Sequence, residues 1–447
     1  MKYDVIIVGG GTAGCSCAYN SAKLGLKVLL IEKNSFLGGT MTSSLVTPAM
    51  KSETNNNINY DFYNYLMKKL YSIGGQTTYS DGNMGWFNPE LMKIVLDEIM
   101  EEVGVTVLFN TKVNEVIRDK TKILAITLNY NYTKYLKYIE TKYTDNIIES
   151  KKMLSEYIET KYLVDSTGDA KIFEKLNLKF LNQIEDNYQP TSLRFIMSGI
   201  NLKDFSDWIM SVDSDRNVTT SCMIDGQIHL STAYTWDKKQ GKPWALDYLF
   251  NEGVEEGLLK LTDCNYFQLF TIPGMHSSVA FNCPRIPEEF NPSDKMAYSN
   301  ALMRGRASIL RLSKFLKAKF KGFENSYISS IANSLGIRVS NRITGKYIYT
   351  IDDLKSGKVF DYPVLISSYP VDVHSSEKDK SILKKCDIEY MLPVESLISK
   401  DYDNLFAIGR CISADFYAQA ALRIIPSCFS MGEGLAKYLS KLENTEK

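Results

Sequence analysis

The chain opens with an apolar run, Tyr3 to Val8 (Y-D-V-I-I-V), rich in β-branched residues and long enough for a buried strand. A helical pattern follows from Ala13 to Leu24 and stops at Gly25, a good helix terminator. Lys27 to Ile31 predicts a second strand, which ends at Glu32. Tyr60 to Ile73 has amphipathic helical spacing with Lys68 and Lys69 towards solvent. Asn88 to Val103 predicts another helix, with Pro89 in its first turn and Gly104 past its end. Val105 to Phe109 reads as a strand, and Lys112 to Arg118 with Ile123 to Asn129 alternate like a hairpin. The string Y-I-E-T-K-Y occurs at 138–143 and again at 157–162. A solenoid needs more copies, so the pair predicts a lengthened hairpin. Its second copy runs into Leu163 to Asp169, a strand ending at a small glycine turn.

From Lys179 to Asp294 the pattern changes to short strands with many aromatics and turn residues. Ala297 to Phe320 then predicts a long helix. Leu302, Ile309, Leu312, Leu316 and Phe320 mark its core face, and Arg304, Arg311, Lys314, Lys317 and Lys321 the other side. A solvated face on a core helix is favoured over contact with acidic lipid. Asn404 to Arg410 returns to a strand ending at Gly-Arg, and Pro426 to Leu439 opens a final helix.

Between the first strand and the first helix stands Gly9-Gly10-Gly11-Thr12-Ala13-Gly14, which fits G-x-G-x-x-G. Gly9 allows the tight turn, Gly11 lets backbone approach a pyrophosphate, and Gly14 lets helix and strand pack closely. The helix N-terminus offers free N–H groups to phosphates, and Glu32 can accept from a ribose hydroxyl. The strand before, the helix after and the acid at the second strand's end make this a dinucleotide site rather than a plain glycine turn. The expected fold is therefore α/β. It combines an FAD/NAD(P)-binding Rossmann-like parallel sheet and β-meander with a β-rich α+β substrate domain. The boundaries read as 1–178 for the first part of the nucleotide domain and 179–335 for the substrate or cap domain. Residues 336–447 return to the nucleotide domain and supply active-site segments.

With 447 residues the chain can build two or three cores. Its 52 basic and 52 acidic residues balance, so no bulk field draws it to nucleic acid or anionic lipid. The first strand is too short for a secretory leader, and no apolar run approaches a membrane span. A cytoplasmic protein with no nucleic-acid or membrane partner is expected. None of the eight cysteines forms C-x-x-C, so no metal or iron–sulfur site is expected. Cys15 and Cys17, on the first helix, read as inert buried thiols.

Several further segments carry a resemblance. They are Phe36-Leu37-Gly38-Gly39, Asp165 to Asp169, Gly336-Ile337-Arg338 with Arg342, Tyr369 to His374, Ile408-Gly409-Arg410-Cys411-Ile412-Ser413 and Leu422 to Cys428. With Gly9 to Gly14, they make the chain resemble the FAD-dependent oxidoreductases, two-domain flavoproteins with a glutathione-reductase-type FAD fold. The likeness is closest to a bacterial branch with G-G-G-x-A-G, F-L-G-G, T-G-D and G-R-C-I-S motifs. It implies FAD, bound without a covalent link. Gly9, Gly11, Thr12, Ala13 and Gly14 would meet the pyrophosphate, and Glu32 with Lys33 would lie at the adenosine ribose. Gly38, Gly39, Thr40 and Met41 would flank the flavin and ribityl chain, and Val113 would contact adenine through its backbone. Thr167, Gly168 and Asp169 would pass near the adenosine–pyrophosphate half, and Gly409 and Arg410 near the ribityl chain. Pro426, Ser427 and Cys428, at a helix N-terminus, would face the flavin's pyrimidine edge. The family's R-E-S-R-R run is here Arg338-Val339-Ser340-Asn341-Arg342, one acid and one arginine short.

For chemistry, His374 is weighed as an acid/base against a structural hydrogen-bonding role. His276 reads as a loop residue and His229 as structural. Arg338, Arg342 and Arg423 could clamp a carboxylate or phosphate, or pair with Asp372 or Asp415. No cysteine pair follows the first glycine loop and no second G-x-G-x-x-G occurs. Disulfide reduction and a dedicated NAD(P) domain are set aside. The leading expectation is hydride transfer between flavin N5 and a small polar or anionic organic substrate, with the second electron carrier unknown. The alternatives are a flavin electron-transfer subunit with a protein partner, and a tRNA-modifying or merely flavin-binding protein. The oligomeric state, a homo-oligomer included, is left open.

Overall fold

In the first sheet, β1 (Lys2–Val8) lies parallel to β2 (Val28–Ile31) on one side and to the strand Tyr157–Asp165 on the other. The computed structural model describes residues 1–51, 54, 56–79, 83–128, 157–182, 188–234, 244–286, 290–374, 382–384 and 388–445. The first Y-I-E-T-K-Y copy and Cys386 lie outside these residues. Thr106–Leu108 extends the sheet beyond β2, again parallel. The hairpin Val113–Asp119 and Lys122–Leu128 joins antiparallel to the start of Tyr157–Asp165. Near its end, Leu405–Ala407 joins parallel from almost the other end of the sequence.

Side chains alternate across β1 and feed two cores. Val5 and Ile7 point into a core shared with α1 (Thr12–Lys23) and the helices Asp61–Ser72, Pro89–Glu102 and Ile425–Thr445. Ile6 and Val8 point to the opposite core, with Phe173, Leu405 and Cys411. Both faces are covered, which is why the strands read as continuous apolar runs. The glycine turn fixes how α1 leaves the sheet. Gly9 has φ +108°, and a Cβ there would sit 2.4 Å from the Ser166 carbonyl oxygen. A Cβ on Gly14 would lie 2.0 Å from the Gly9 oxygen, so only glycine lets helix and turn meet.

The second sheet is antiparallel and six-stranded. Its order is Thr219–Ile224, Gln227–Tyr234, Phe267–Ile272, Met275–Phe281, Phe195–Ser198, Tyr327–Ile331. A third hydrophobic core lies on it, dominated by Phe195, Phe205, Phe250, Phe267, Phe281 and Phe315. The helix Lys295–Lys319 buries Ile309, Leu312 and Leu316 there and leaves Arg304, Lys314 and Lys317 exposed. The stretch read as strands and turns also holds two helices, Leu202–Val212 and Asp247–Glu255. In the first, Leu202, Phe205, Ser206 and Ile209 are buried at helical spacing, and Asn201 caps it by accepting from the Asp204 N–H at 3.2 Å. Aromatic content had masked that period. Among the described residues no helix is long and apolar enough to cross a membrane.

Candidate active site

A cavity of about 400 Å3 opens between the two sheets. One wall belongs to the glycine turn and its neighbours. Gly11, Thr12 and Ala13 line it, with Gly39, Thr40, Ser166, Thr167, Gly168, Gly409 and Arg410. A Cβ on Gly11 would meet only the Gly39 Cα at 3.7 Å, and one on Gly409 only the Ala13 Cβ at 3.7 Å. These two glycines leave backbone facing open space at the N-terminus of α1, a place suited to a pyrophosphate. Asp165 shapes the adjoining turn: Oδ1 accepts from the Thr167 N–H at 3.0 Å, and Oδ2 from the Ile172 N–H at 2.7 Å. Arg410 Nη2 donates to Asp169 Oδ1 at 2.7 Å. Burial would raise the Asp169 carboxyl, but Arg410, together with Ser340 and Lys33, holds the group below its ordinary value.

Of the other residues expected at the cofactor, Glu32, Lys33, Gly38, Met41, Val113, Pro426 and Ser427 do not line the cavity. Glu32 is buried and accepts from the Gly10 N–H at 2.7 Å and the Asn34 N–H at 2.9 Å. Lys33 is exposed. Gly38 precedes the short turn Gly39–Met41, with Met41 buried beneath it. Val113 is buried at the start of its strand. Pro426 and Ser427 are buried in the first turn of the last helix, and Cys428 lines the cavity. Burial pushes the Cys428 thiol up to about 12, so it is not a thiolate near neutral pH.

The facing wall comes from one end of the antiparallel sheet. Phe281 pairs with both Leu269 and Phe195. This register brings together Tyr266 and Gln268 at one strand's start, Asn282 and Arg285 after the next, and Arg194 before the third. Ser192 bridges to both Arg285 and Gly336, which draws in Arg338 two residues further on. Tyr266 Oη donates to Gln268 Oε1 at 3.1 Å, and Asn282 Nδ2 donates to the same oxygen at 2.8 Å. The Arg285 guanidinium lies 4.2 Å from the Tyr266 ring centre.

His374 joins the two halves of this polar wall. Arg285 Nη2 stands 2.9 Å from His374 Nδ1, and Asp372 Oδ2 stands 3.2 Å from Nε2. Arginine only donates, so Nδ1 accepts and the proton sits on Nε2. Burial, with the Arg338 charge, pushes the ring's pKa down to about 3 against the pull of Asp372. Burial would raise Asp372, but His374, Arg423 and Arg338 hold it well below the usual carboxylate range. Arg423 Nη2 donates to the Asp372 carbonyl at 2.9 Å and to Oδ2 at 3.3 Å.

Three of the four residues expected to carry chemistry therefore meet: Arg338, His374 and Arg423 line the cavity. Arg342 does not. It is fully buried and donates from Nη1 to the Ala414 carbonyl at 2.8 Å. Both nitrogens of His374 are engaged, so in this arrangement it orients Arg285 and Asp372. His229 is buried near Thr77, and His276 is exposed on the strand Met275–Phe281. Sequence reading missed Arg194, Tyr266, Gln268, Asn282 and Arg285. One signal was readable: Arg194 interrupts the apolar run Leu193-Arg194-Phe195-Ile196-Met197, and a charge inside a buried strand calls for a reason.

The chain is 26% identical over 159 residues to the digeranylgeranylglycerophospholipid reductase of Sulfolobus acidocaldarius, 29% of this chain and 35% of that protein. It is 55% identical over 40 residues to a Helicobacter pylori D-amino acid dehydrogenase, 9% of this chain and 10% of that one. The chain thus matches about a third or less of these curated relatives' length. The flavin-dependent brominase Bmp2 superposes over 99% of this chain and 79% of its own, with a TM-score of 0.47 and 13% identity. The family described as "FAD dependent oxidoreductase" matches residues 4–440, so the chain belongs to that family and is an FAD-dependent oxidoreductase.

Proposed function

We propose that this protein is a cytoplasmic dehydrogenase or reductase that exchanges a hydride between its flavin and a small polar or anionic organic molecule held in the cavity. In this reading the FAD domain is of the glutathione-reductase type that its F-L-G-G, T-G-D and G-R-C-I-S segments resemble. The observation that carries the reading is the cavity's two-sided lining, with the open glycines and the α1 N-terminus on one wall and Tyr266, Gln268, Asn282 and Arg285 on the other. Gly11, Ala13 and Gly409 would hold the cofactor's phosphates and ribityl chain, and Ile425 to Cys428 would bring a helix N-terminus to the flavin. The polar wall would orient the substrate and exclude water.

A hydride step needs a proton partner. With both His374 nitrogens engaged, the Tyr266 hydroxyl is the stronger candidate. It lines the cavity, and burial raises it above its ordinary value despite Arg285, Arg338 and Arg194. It is therefore a protonated phenol near neutral pH.

The test is an absorption spectrum of the purified protein before and after denaturation and filtration, followed by anaerobic titration with small carboxylates, polyols and amines. Flavin in the filtrate and bleaching by one of these classes are expected. A protein that neither carries nor takes up FAD would overturn the reading. Flavin retained by the denatured chain would overturn its non-covalent part.

A further inference from the structure

We propose that the molecule taken by this cavity is a small organic dianion, with its negative charges received by Arg194 and Arg338. The inference rests on the oxidoreductase reading above and names its substrate class. Arg194 is 6% exposed and Arg338 8% exposed, and both line the cavity. Nε and Nη1 of Arg194 are buried with no hydrogen-bond partner among the described residues. Arg338 gives Nη1 to the Pro190 carbonyl at 2.6 Å. Neither guanidinium forms an ion pair with a carboxylate among the described residues.

Of the other charges at this end, Arg285 rests on the Tyr266 ring and gives a hydrogen bond to His374 Nδ1. Asp372 is the one acid that lines the cavity among the described residues, and it receives Arg423 and the His374 Nε2–H. His374 is neutral and adds no charge. Arg410, at the other wall, is paired with Asp169. Arg194 and Arg338 are thus buried cations with no carboxylate partner among the described residues, and burying a charge without a partner is costly. A neutral substrate would leave both unmatched, and a monoanion would leave one. A dianion gives each of the two a countercharge, and carboxylate or phosphate oxygens suit the planar donor fork of arginine. Tyr266, Gln268 and Asn282 supply neutral polar groups for the remainder of the molecule.

Dicarboxylates and phosphate monoesters share this chemistry, and the experiment separates them. The flavin-loaded protein is titrated with succinate, butyrate, n-butanol and ethyl phosphate. Binding is read from the perturbed flavin absorption and, independently, from the rise in Tm. Succinate or ethyl phosphate should bind at least about tenfold tighter than butyrate, and butanol should give no saturable change. The tighter of the two dianions names the source. Arg194→Gln should bring the dianion down to the affinity of butyrate with flavin content unchanged, and Arg194→Lys should keep part of the preference. Should Arg194→Gln fail to fold, loss of the preference in Arg338→Gln gives the same reading. Dianions that bind no tighter than butyrate, or a preference that survives Arg194→Gln, overturn the proposal. Its failure differs from failure of the oxidoreductase reading, because the latter shows as absence of bound flavin.

Discussion

Arg410 Nη2 meets Asp169 Oδ1 at 2.7 Å, tying the turn after Leu405–Ala407 to the turn after Tyr157–Asp165. The guanidinium lies over Gly168, where an added Cβ would stand 3.0 Å from its Cζ. Asp169→Asn would leave a largely buried Arg410 without its anion. Breaking such a pair costs about 3 kcal/mol, so the variant should lose about that much in urea unfolding at neutral pH. The sign with pH follows from Asp169 titrating lower when folded than unfolded. Its contribution is fully present above the unfolded value of about 4 and fades as pH falls through the folded one. Wild type and variant should therefore converge in acid. A gap that stays constant from neutral to acid pH would count against the pair.

His374 predicts a slope in a different window. Its folded pKa of about 3 lies below the ordinary 6.5, so the unfolded chain takes up the proton first. Stability is fully present above about pH 6.5 and is lost as pH falls towards 3, by up to about 1.4 kcal/mol per pH unit. Buried His229 is lowered in the same direction, so the informative quantity is a difference. His374→Asn should flatten the dependence of unfolding free energy between about pH 5 and 7 relative to wild type, whatever it does to stability at neutral pH. Equal slopes would mean the ring is not held neutral.

Tyr266→Phe should spare the fold and the flavin, because the ring keeps its place against Arg285 while only the hydroxyl at Gln268 is lost. If that hydroxyl donates the proton, reoxidation of the reduced flavin by the oxidised form of a substrate that bleaches the wild type should slow by roughly a hundredfold. Stopped-flow absorbance would read this directly. An unchanged rate would move the proton to solvent.

What the sequence made legible follows how locally each feature is determined. Gly9, Gly11 and Gly14 could be placed because one strand, one turn and one helix fix their surroundings within a dozen residues. The wall carrying Arg194, Tyr266, Asn282 and Arg285 could not. These residues meet only through the register of antiparallel strands, with Phe195 and Leu269 both opposite Phe281, and no local pattern encodes that pairing. Arg342 shows the converse difficulty. A lone arginine in a motif reads equally as an anion clamp and as a buried brace, and here its partner is the Ala414 carbonyl. His374 lines the cavity, but its hydrogen bonding turns on Arg285, nearly ninety residues away in the chain.

The glycine turn allows binding and packing to be separated by one methyl group each. Gly11 begins α1 with φ −80°, a value open to any residue, and its added Cβ would meet nothing nearer than the Gly39 Cα at 3.7 Å. Gly11→Ala should therefore fold, losing about 1 kcal/mol or less from the weaker helix start. Its methyl group would enter the space where a pyrophosphate must touch backbone, so the purified variant should be depleted of flavin and need excess FAD to become yellow. Gly14→Ala places its methyl 2.0 Å from the Gly9 oxygen and 2.8 Å from Ser166 Oγ, so α1 must move off the sheet. That overpacking should cost about 3 kcal/mol or more. Paired measurements of Tm and of flavin absorbance per chain check both variants. Gly11→Ala with wild-type flavin content, or Gly14→Ala with wild-type Tm, would show that this turn is not the cofactor's cradle as drawn.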